Sequence, residues 1–167
     1  PTENNPVKMM TESIPFEMAD LDQLEEIQGV KELVKGYSTF SLGGYSIVAN
    51  EQHFPFMTFI TMSPMITSSP LVAGEFPGTG EVLITQGLAD SLGENSLGQE
   101  ITVNLMVEGV ATVSNFVVSG IFASDAVIGP TAAFDSLYMN FSDLVEIAEN
   151  NQVMLKPNII YLVAEDV

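Results

Sequence analysis

The sequence contains no cysteine, no tryptophan and no arginine among its 167 residues. The lack of cysteine excludes a disulfide framework, a thiolate zinc site and a cysteine nucleophile. Four lysines stand against 22 aspartates and glutamates, so the formal net charge is −18. A chain this acidic, without one guanidinium group, repels nucleic acid and anionic lipid. These absences predict an acidic globular protein that does not bind DNA or RNA.

Long apolar segments are also missing. No apolar run reaches the roughly 18 residues that span a bilayer, and residues 1–20 have neither the basic start nor the apolar middle of a signal peptide. Hydrophobic residues nevertheless make up 46% of the chain, which is enough to build a core without a metal or disulfide. Because the sequence begins at Pro1 without a methionine, we expect a processed protein or, preferably, a piece excised from a larger one.

The first 13 residues are polar and hold two prolines, which predicts an arm or tether, and residues 14–167 are expected to form a single domain. A helix is predicted to begin at an Asp20 cap and to end at Gly29, followed by an extended segment at 30–34. Residues 37–47 are interpreted as a hairpin with a tight turn at Gly43-Gly44. Residues 52–66 are apolar on both faces of a strand, so they are expected in the core or under a partner.

The rest of the chain is interpreted as short strands with few helices. In order we predict an irregular connection at 68–80, a strand at 81–85, a helix at 86–92 ended by Gly93, strands at 100–107 and 111–121 joined by Glu108-Gly109, a loop at 124–131, a strand at 134–139, a helix at 142–150 capped by Ser142, and a strand at 159–164. Strands outnumber helices and do not alternate with them as βαβ units. This pattern predicts a mixed, strand-rich α+β domain.

No pattern of catalytic or metal-binding residues emerges. The single histidine, His53, heads an apolar strand without a patterned nucleophile or orienting carboxylate, so we expect a structural role. The acidic groups at 20–26 and 143–149 have helical spacing and are expected on solvated faces, whereas a calcium loop places ligands at every second residue. Gly78-Thr79-Gly80 precedes a strand and lacks the third glycine of a dinucleotide loop. We therefore predict no cofactor, no metal and no catalytic residue.

One apolar cluster stands out because methionine and phenylalanine are concentrated in it. Methionine is adaptable and is common on surfaces that bind several partners, although filling of the core is the more usual role. A possible apolar contact surface is therefore placed at Phe54, Phe56, Met57, Phe59, Met62 and Met65.

The order of elements resembles the MacB-like periplasmic core domain, the extracytoplasmic domain between the first two membrane helices of many ABC-transporter permeases. The segments that carry the resemblance are the helix closing on Gly29-Val30, the strand ending at Pro64, the Leu71, Gly74 and Phe76 step, the strand and helix at 80–93, the Leu97-Gly98 step, the strand at 116–122 and the last strand at 159–166. The sequence departs from the family at Gly74-Glu75, where glycine-arginine is frequent, and it stops before the final membrane-directed helix.

The resemblance implies two sublobes, with residues 81–123 as an outer strand-rich sublobe, and chain ends that lie together near the membrane. It implies a non-catalytic domain on the extracytoplasmic face of a bacterial membrane, which relays ATP-driven motion and contacts substrates or partner proteins. The implied partners are the permease's own transmembrane helices, a cytoplasmic ABC ATPase and a second permease in a dimer. The transported substrate does not follow from the resemblance.

Two other functions stay open from the sequence. The first is a stand-alone secreted or lipid-anchored module that binds an apolar or peptide ligand through the Phe and Met strand. The second is a small acidic hydrolase with a pair of carboxylates, whose separation is spatial and cannot be read from spacing.

Overall fold

A computed structural model describes residues 17–123 and 135–164. The helices in chain order are α1 (Met18–Glu25), α2 (Pro64–Thr67), α3 (Gln86–Leu92) and α4 (Phe141–Asn150). The strands are β1 (Val30–Gly36), β2 (Ser38–Ala49), β3 (Gln52–Thr61), β4 (Leu71–Gly74), β5 (Glu81–Thr85), β6 (Glu100–Val107), β7 (Val110–Phe122), β8 (Ser136–Met139) and β9 (Ile159–Ala164). The mixed, strand-rich α+β class is therefore confirmed.

The largest sheet closes on itself at β7. Its strand order is β4-β7-β5-β8-β3-β2-β6, and β6 pairs in turn with β7. Val117 carries the closure, because it pairs with Glu100 of β6 on one edge and with Glu81 of β5 on the other. A closed ring leaves its member strands no free edge at which another chain can add. Among the described strands, β4 alone extends the sheet beyond the ring. It pairs with the end of β7, on the same edge of β7 that pairs with β6.

The core lies on both sides of the central strands of the ring. Val82 and Ile84 of β5 belong to the main apolar cluster, whereas Leu83 between them belongs to a second cluster with Tyr138 and with Ile66 of α2. The side chains of Val82, Leu83 and Ile84 are each fully buried, at 0% exposure. This two-sided burial explains why β5 is apolar at successive positions, where a half-buried strand would alternate.

A second sheet consists of β1 and β9 alone, paired antiparallel from Val30 opposite Ala164 to Gly36 opposite Ile159. We call this pair the ribbon. It is built from the first and last strands of the described chain, so their outer ends lie side by side. Its position outside the ring, directly before β2, makes it the connection between the chain ends and the main sheet.

Local signals predicted several elements to the residue. The strands at 81–85, 100–107 and 159–164 and the helix at 86–92 have the predicted bounds. Gly93 closes that helix with φ +98°, and Glu108 and Gly109 turn the β6–β7 hairpin with φ of 49° and 78°. Positive φ at both central residues is what a two-residue hairpin turn requires.

The predicted hairpin at Gly43-Gly44 is wrong. β2 runs unbroken through both glycines, and the chain reverses at Asn50 and Glu51, whose φ values are 50° and 65°. The glycines lie in an irregularity instead, because Phe40 pairs with Thr58 while Tyr45 pairs with Phe56. Four β2 residues, 41–44, therefore lie opposite the single β3 residue Met57, and a bulge tolerates glycine as readily as a turn does.

Both predicted helix caps are also displaced. Glu17 caps α1, and Asp20 lies inside the helix with its carboxylate accepting the Glu17 N–H at 3.1 Å. Asn140, rather than Ser142, caps α4. A short strand, β4, interrupts the connection expected at 68–80.

Four predictions are left open by the structure. The arm at 1–13, the loop at 124–131 and the first residue of the strand expected at 134–139 lie outside the described residues. The outer sublobe at 81–123 stays a prediction, and its strands share a sheet with β2 and β3.

The contact between β4 and β7 leaves no room for a side chain at Gly120. An added Cβ would lie 2.5 Å from the carbonyl oxygen of Glu75 and 2.7 Å from Leu83 Cδ2. We expect Gly120→Ala to lower the free energy of unfolding by about 1–3 kcal/mol, because an overpacked core must shift its backbone. Urea unfolding followed by circular dichroism measures this change. Gly78→Ala is the control, since its close neighbour is the movable end of Glu81; equal losses in both variants would contradict the tight contact.

Candidate functional site

The ribbon is the candidate functional site because it joins the chain ends to the ring. The α1 helix leads into β1, and Glu17 at its start forms an ion pair with Lys156, three residues before β9, at 2.8 Å. The ion pair thus joins the start of α1 to the segment that leads into β9.

Asn158 fastens the ribbon to the ring by using its side chain as a strand partner. Its Oδ1 accepts the Ser38 N–H at 2.8 Å, and its Nδ2 donates to the Ser38 carbonyl at 2.9 Å. Its own N–H donates to the carbonyl of Gly36 at 3.1 Å. These bonds span the step between β1 and β2, so they hold the place where the chain leaves the ribbon and enters the ring.

Tyr161 packs against the same step. A Cβ on Gly36 would lie 3.0 Å from Tyr161 Cε2 and 3.3 Å from Thr61 Oγ1. The aromatic side chain of Tyr161 therefore comes close to the backbone here. Thr61 at the end of β3 exchanges two bonds with Tyr37, accepting its N–H at Oγ1 and donating its own N–H to the Tyr37 carbonyl. The ribbon is therefore seated on the end of β3 as well as on β2.

Tyr37 extends this attachment to the β6–β7 turn. Its hydroxyl donates to Glu108 Oε1 at 3.1 Å, although the two residues are 71 positions apart. The side chain is buried, at 5% exposure, and its burial raises the pKa of the phenol, with the Glu108 carboxylate adding to the rise. The phenol therefore stays protonated and keeps donating to Glu108 at neutral pH.

The ribbon itself remains partly open. Leu33, Val34, Ile160 and Tyr161 are half-buried, and Leu162 is 46% exposed. Two strands without further support are marginally stable in water. The attachments at Asn158, Tyr161 and Tyr37 supply that support on the side of the ring.

Positive charge is concentrated at the same place. The lysines among the described residues are Lys31 and Lys35 on β1 and Lys156 before β9, and the fourth lysine, Lys8, lies outside those residues. Two of the three lysines of the described residues therefore lie on the ribbon, in a protein of net charge −18.

The predicted apolar contact surface is divided by the structure. Phe56 and Phe59 are each 1% exposed and belong to the main core, so these two side chains form no surface. Phe54 is half-buried against the main cluster, Met57 is half-buried, and Met62 packs on the second cluster. The side chain of Met65 lies outside the described part of the structure.

A bulge explains the burial of both phenylalanines. Residues three apart on a regular strand point to opposite faces. The N–H groups of Met57 and Thr58 both donate to the carbonyl of Asp135, at 3.0 and 3.3 Å, which marks an extra residue in β3. The bulge turns Phe59 back to the face of Phe56, and this placement depends on a carbonyl more than 70 positions away in the sequence.

The chemistry-bearing residues do not assemble into a site in the described part of the chain. His53 is exposed on β3 opposite Val48. No group of three or more histidines, aspartates and glutamates suited to a metal occurs among residues 17–123 and 135–164. Asp143 differs from the prediction of a solvated face, since it is 5% exposed and accepts the Gly80 N–H at 3.1 Å.

Sequence reasoning missed the residues that hold the ribbon and the loops. Neither Asn158 nor Asn140 belongs to a sequence motif. Asn140 Nδ2 donates to the Pro77 carbonyl at 2.8 Å, close to the bond between Asp143 and Gly80. An asparagine beside a short apolar strand was the available signal, but its partner lies 120 positions away. Within the described chain, no helix has the length and apolar character needed to cross a membrane.

Comparisons with known proteins identify the fold. No protein-family model and no curated protein matches the sequence, whereas eight solved chains match the structure. One is a crystal structure from Porphyromonas gingivalis described as "a domain of a putative Permease protein", with a TM-score of 0.54 and 15% sequence identity over 87% of this chain. This chain covers 66% of that one, just under two thirds of its length. The chain therefore shares the fold of a permease domain, and the narrower MacB-like assignment stays a prediction.

Removing the Asn158 amide tests the attachment of the ribbon. In Asn158→Ala the N–H and C=O of Ser38 lose their partners, so we expect faster hydrogen exchange at the β9 amides and a loss of about 1–3 kcal/mol in the free energy of unfolding. Hydrogen exchange read by mass spectrometry measures the first effect. Asn95→Ala, at an exposed loop position, is the control. Unchanged protection of β9 in Asn158→Ala would contradict the attachment.

Alkaline pH tests the buried tyrosines. Burial raises the pKa of Tyr138 to about 12 from its ordinary value of 10.0. The phenol ionises first in the unfolded chain. Its contribution to the free energy of unfolding is therefore fully present below pH 10 and falls between pH 10 and 12, by up to about 1.4 kcal/mol per pH unit. Urea titrations at several pH values measure the slope, which Tyr138→Phe should reduce. Equal slopes for the two proteins would contradict the role of Tyr138.

Proposed function

We propose that this chain is the extracytoplasmic domain of a membrane permease, inserted between two membrane-spanning segments of a longer polypeptide. The observation that carries the proposal is the ribbon, in which the first and last described strands pair from Val30 and Ala164 onward. A domain inserted into a membrane protein must receive and return the chain at one place. The shared fold with a permease domain supports the same conclusion.

The ribbon gives such a domain a mechanical role. Antiparallel hydrogen bonds resist sliding of β1 along β9, so a movement that carries both membrane segments together tilts the ribbon as a unit. Asn158 and Tyr161 pass the tilt to β2 and β3, and Tyr37 passes it to the β6–β7 turn. The closed ring then moves as one body, which suits a relay between two discrete arrangements.

The finer proposal follows the MacB-like resemblance. The domain would then belong to an ABC-transporter permease, with a cytoplasmic ATPase driving the movement and a second permease completing a dimer. It would contain no catalytic residue and would act through contacts with substrates or partner proteins. Lys31 lies at the outer end of the ribbon, where a positive charge suits an anionic bilayer that repels the acidic remainder of the domain.

The alternative, a stand-alone binding module that uses the Phe and Met strand, loses part of its basis. Two of its phenylalanines lie in the core, and the half-buried side chains of Phe54 and Met62 pack against the two clusters. The permease proposal does not depend on these side chains.

The native polypeptide provides the test. An antibody raised against the 167-residue chain should detect a band much larger than 18.0 kDa that only detergent extracts from membranes. Protease added to spheroplasts, from which the outer envelope has been removed, should destroy the epitope and leave a cytoplasmic control protein intact. A band near 18 kDa in the aqueous fraction, or an epitope protected until the spheroplasts are lysed, would overturn the proposal.

A further inference from the structure

The outer side of β3, β2, β6 and β7 forms a continuous face whose side chains are all uncharged. Directly opposite residues in neighbouring strands lie on the same side of a sheet, so the strand registers define its rows. One row contains Pro55, Ser46, Asn104 and Val113, a second contains His53, Val48, Thr102 and Asn115, and Met106 and Ala111 add a third at the end near the β6–β7 turn. We call these ten residues the neutral face.

The neutral face is unusual in a chain with 22 acidic residues. Glu100 is the single aspartate, glutamate or lysine in β2, β3, β6 and β7 together. Acidic groups return at the border, with Glu51 in the β2–β3 turn, Glu100 at the start of β6 and Glu108 in the β6–β7 turn, all exposed. The result is an uncharged centre with an acidic rim.

The centre is open, and four of its polar side chains are bonded in two pairs across the strands. Val113 is 68% exposed and Met106 is 40% exposed. Thr102 Oγ1 donates to Asn115 Oδ1 at 3.0 Å, and Asn104 Nδ2 donates to Ser46 Oγ at 3.0 Å. Covering this face would leave these cross-strand bonds intact, so it would cost less desolvation than covering unpaired polar groups.

We propose that the neutral face is a docking surface for a protein whose contact region is apolar at its centre and carries lysine or arginine at its edge. Charged groups are disfavoured in the buried centre of an interface, and the neutral face has none. The acidic rim attracts a basic edge and steers its approach. A second copy of this chain is disfavoured, because the glutamates of the two rims would oppose each other in two molecules that each carry a net charge of −18.

This inference is independent of the permease proposal, since it rests on the surface of the domain and not on how its ends are attached. The permease proposal is tested on the native polypeptide and this inference on the 167-residue chain, so either can fail while the other succeeds. A cytoplasmic or secreted protein with this neutral face would bind the same class of partner.

A pair of synthetic peptides can test the chemistry of the face. The probe is Lys-Lys-Leu-Thr-Leu-Thr-Leu-Lys-Lys, and the matched peptide replaces each leucine by serine at the same charge. Titration into the full ¹⁵N-labelled chain, followed by amide chemical shifts, should perturb the residues of the neutral face with the leucine peptide and bind at least about fivefold more weakly with the serine peptide. Perturbations spread over the acids of α1 and α4, or equal binding of both peptides, would overturn the proposal.

Two variant pairs locate the contact, and each pair matches the residue type. Asn115→Lys places a repelling charge on the neutral face, whereas Asn150→Lys makes the same change on exposed α4; we expect the first to weaken leucine-peptide binding about tenfold more than the second. Val113→Ser should weaken binding and Val72→Ser, at a 53% exposed position on β4, should not. Thermal unfolding checks that all four variants fold. Equal effects within both pairs, or a dimer in sedimentation equilibrium that Asn115→Lys dissolves, would contradict the proposed partner.

Discussion

The double pairing of Val117 is the constraint on which the rest of the structure depends. One residue hydrogen-bonded to β5 on one side and β6 on the other converts an open sheet into a ring. Closure fixes the order of all the strands between them, including the pairing of β6 with β2 and of β3 with β8. It also removes free edges from the ring, so another chain cannot extend the sheet at the ring strands themselves.

The ribbon and the neutral face are suited to different roles. The ribbon pairs the first and last described strands, carries Lys31 and Lys35 and is attached to the ring through Asn158, so it is suited to anchoring. The neutral face lies on the ring and presents Val113 and Met106 within an acidic rim, so it is suited to recognition. The Tyr37 bond to Glu108 links the two, because it joins the base of the ribbon to the turn at the border of the neutral face. A movement of the ribbon therefore has a direct path to the recognition surface.

The predictable parts of the fold are those set by neighbouring residues. The bounds of β5, α3, β6 and β9 followed from apolar alternation, from Gly93 and from the Glu108-Gly109 turn, all of which act over a few positions. The Gly43-Gly44 hairpin failed because glycine pairs serve bulges as well as turns, and only the distant pairing of β2 with β3 decides between them. The placement of Phe56 and Phe59 in one cluster is not visible in the sequence for the same reason, since the Asp135 carbonyl creates the bulge that turns Phe59 inward.

The candidate site was harder to predict than the fold. The resemblance implied chain ends that lie together, but nothing local identified Asn158, whose partner Ser38 is 120 positions away. The neutral face likewise depends on the registers of three strand pairings, because its ten residues come from four separate strands. Hydrophobicity pointed instead to the β3 side chains, which are the most apolar because several of them fill the core.

The distance between the chain ends within the native polypeptide tests the central claim most directly. The 167 residues contain no cysteine, so Lys31→Cys and Ala164→Cys, with any cysteine elsewhere in the polypeptide replaced by serine, place one pair of spin labels on the exposed ends of the ribbon. Pulsed electron resonance on the membrane-embedded protein should give one narrow distance below about 20 Å, as neighbouring strands and two labels require. A broad distribution centred beyond about 30 Å would mean that the ends are not held together, and the account of an inserted domain joined through its ribbon would be wrong.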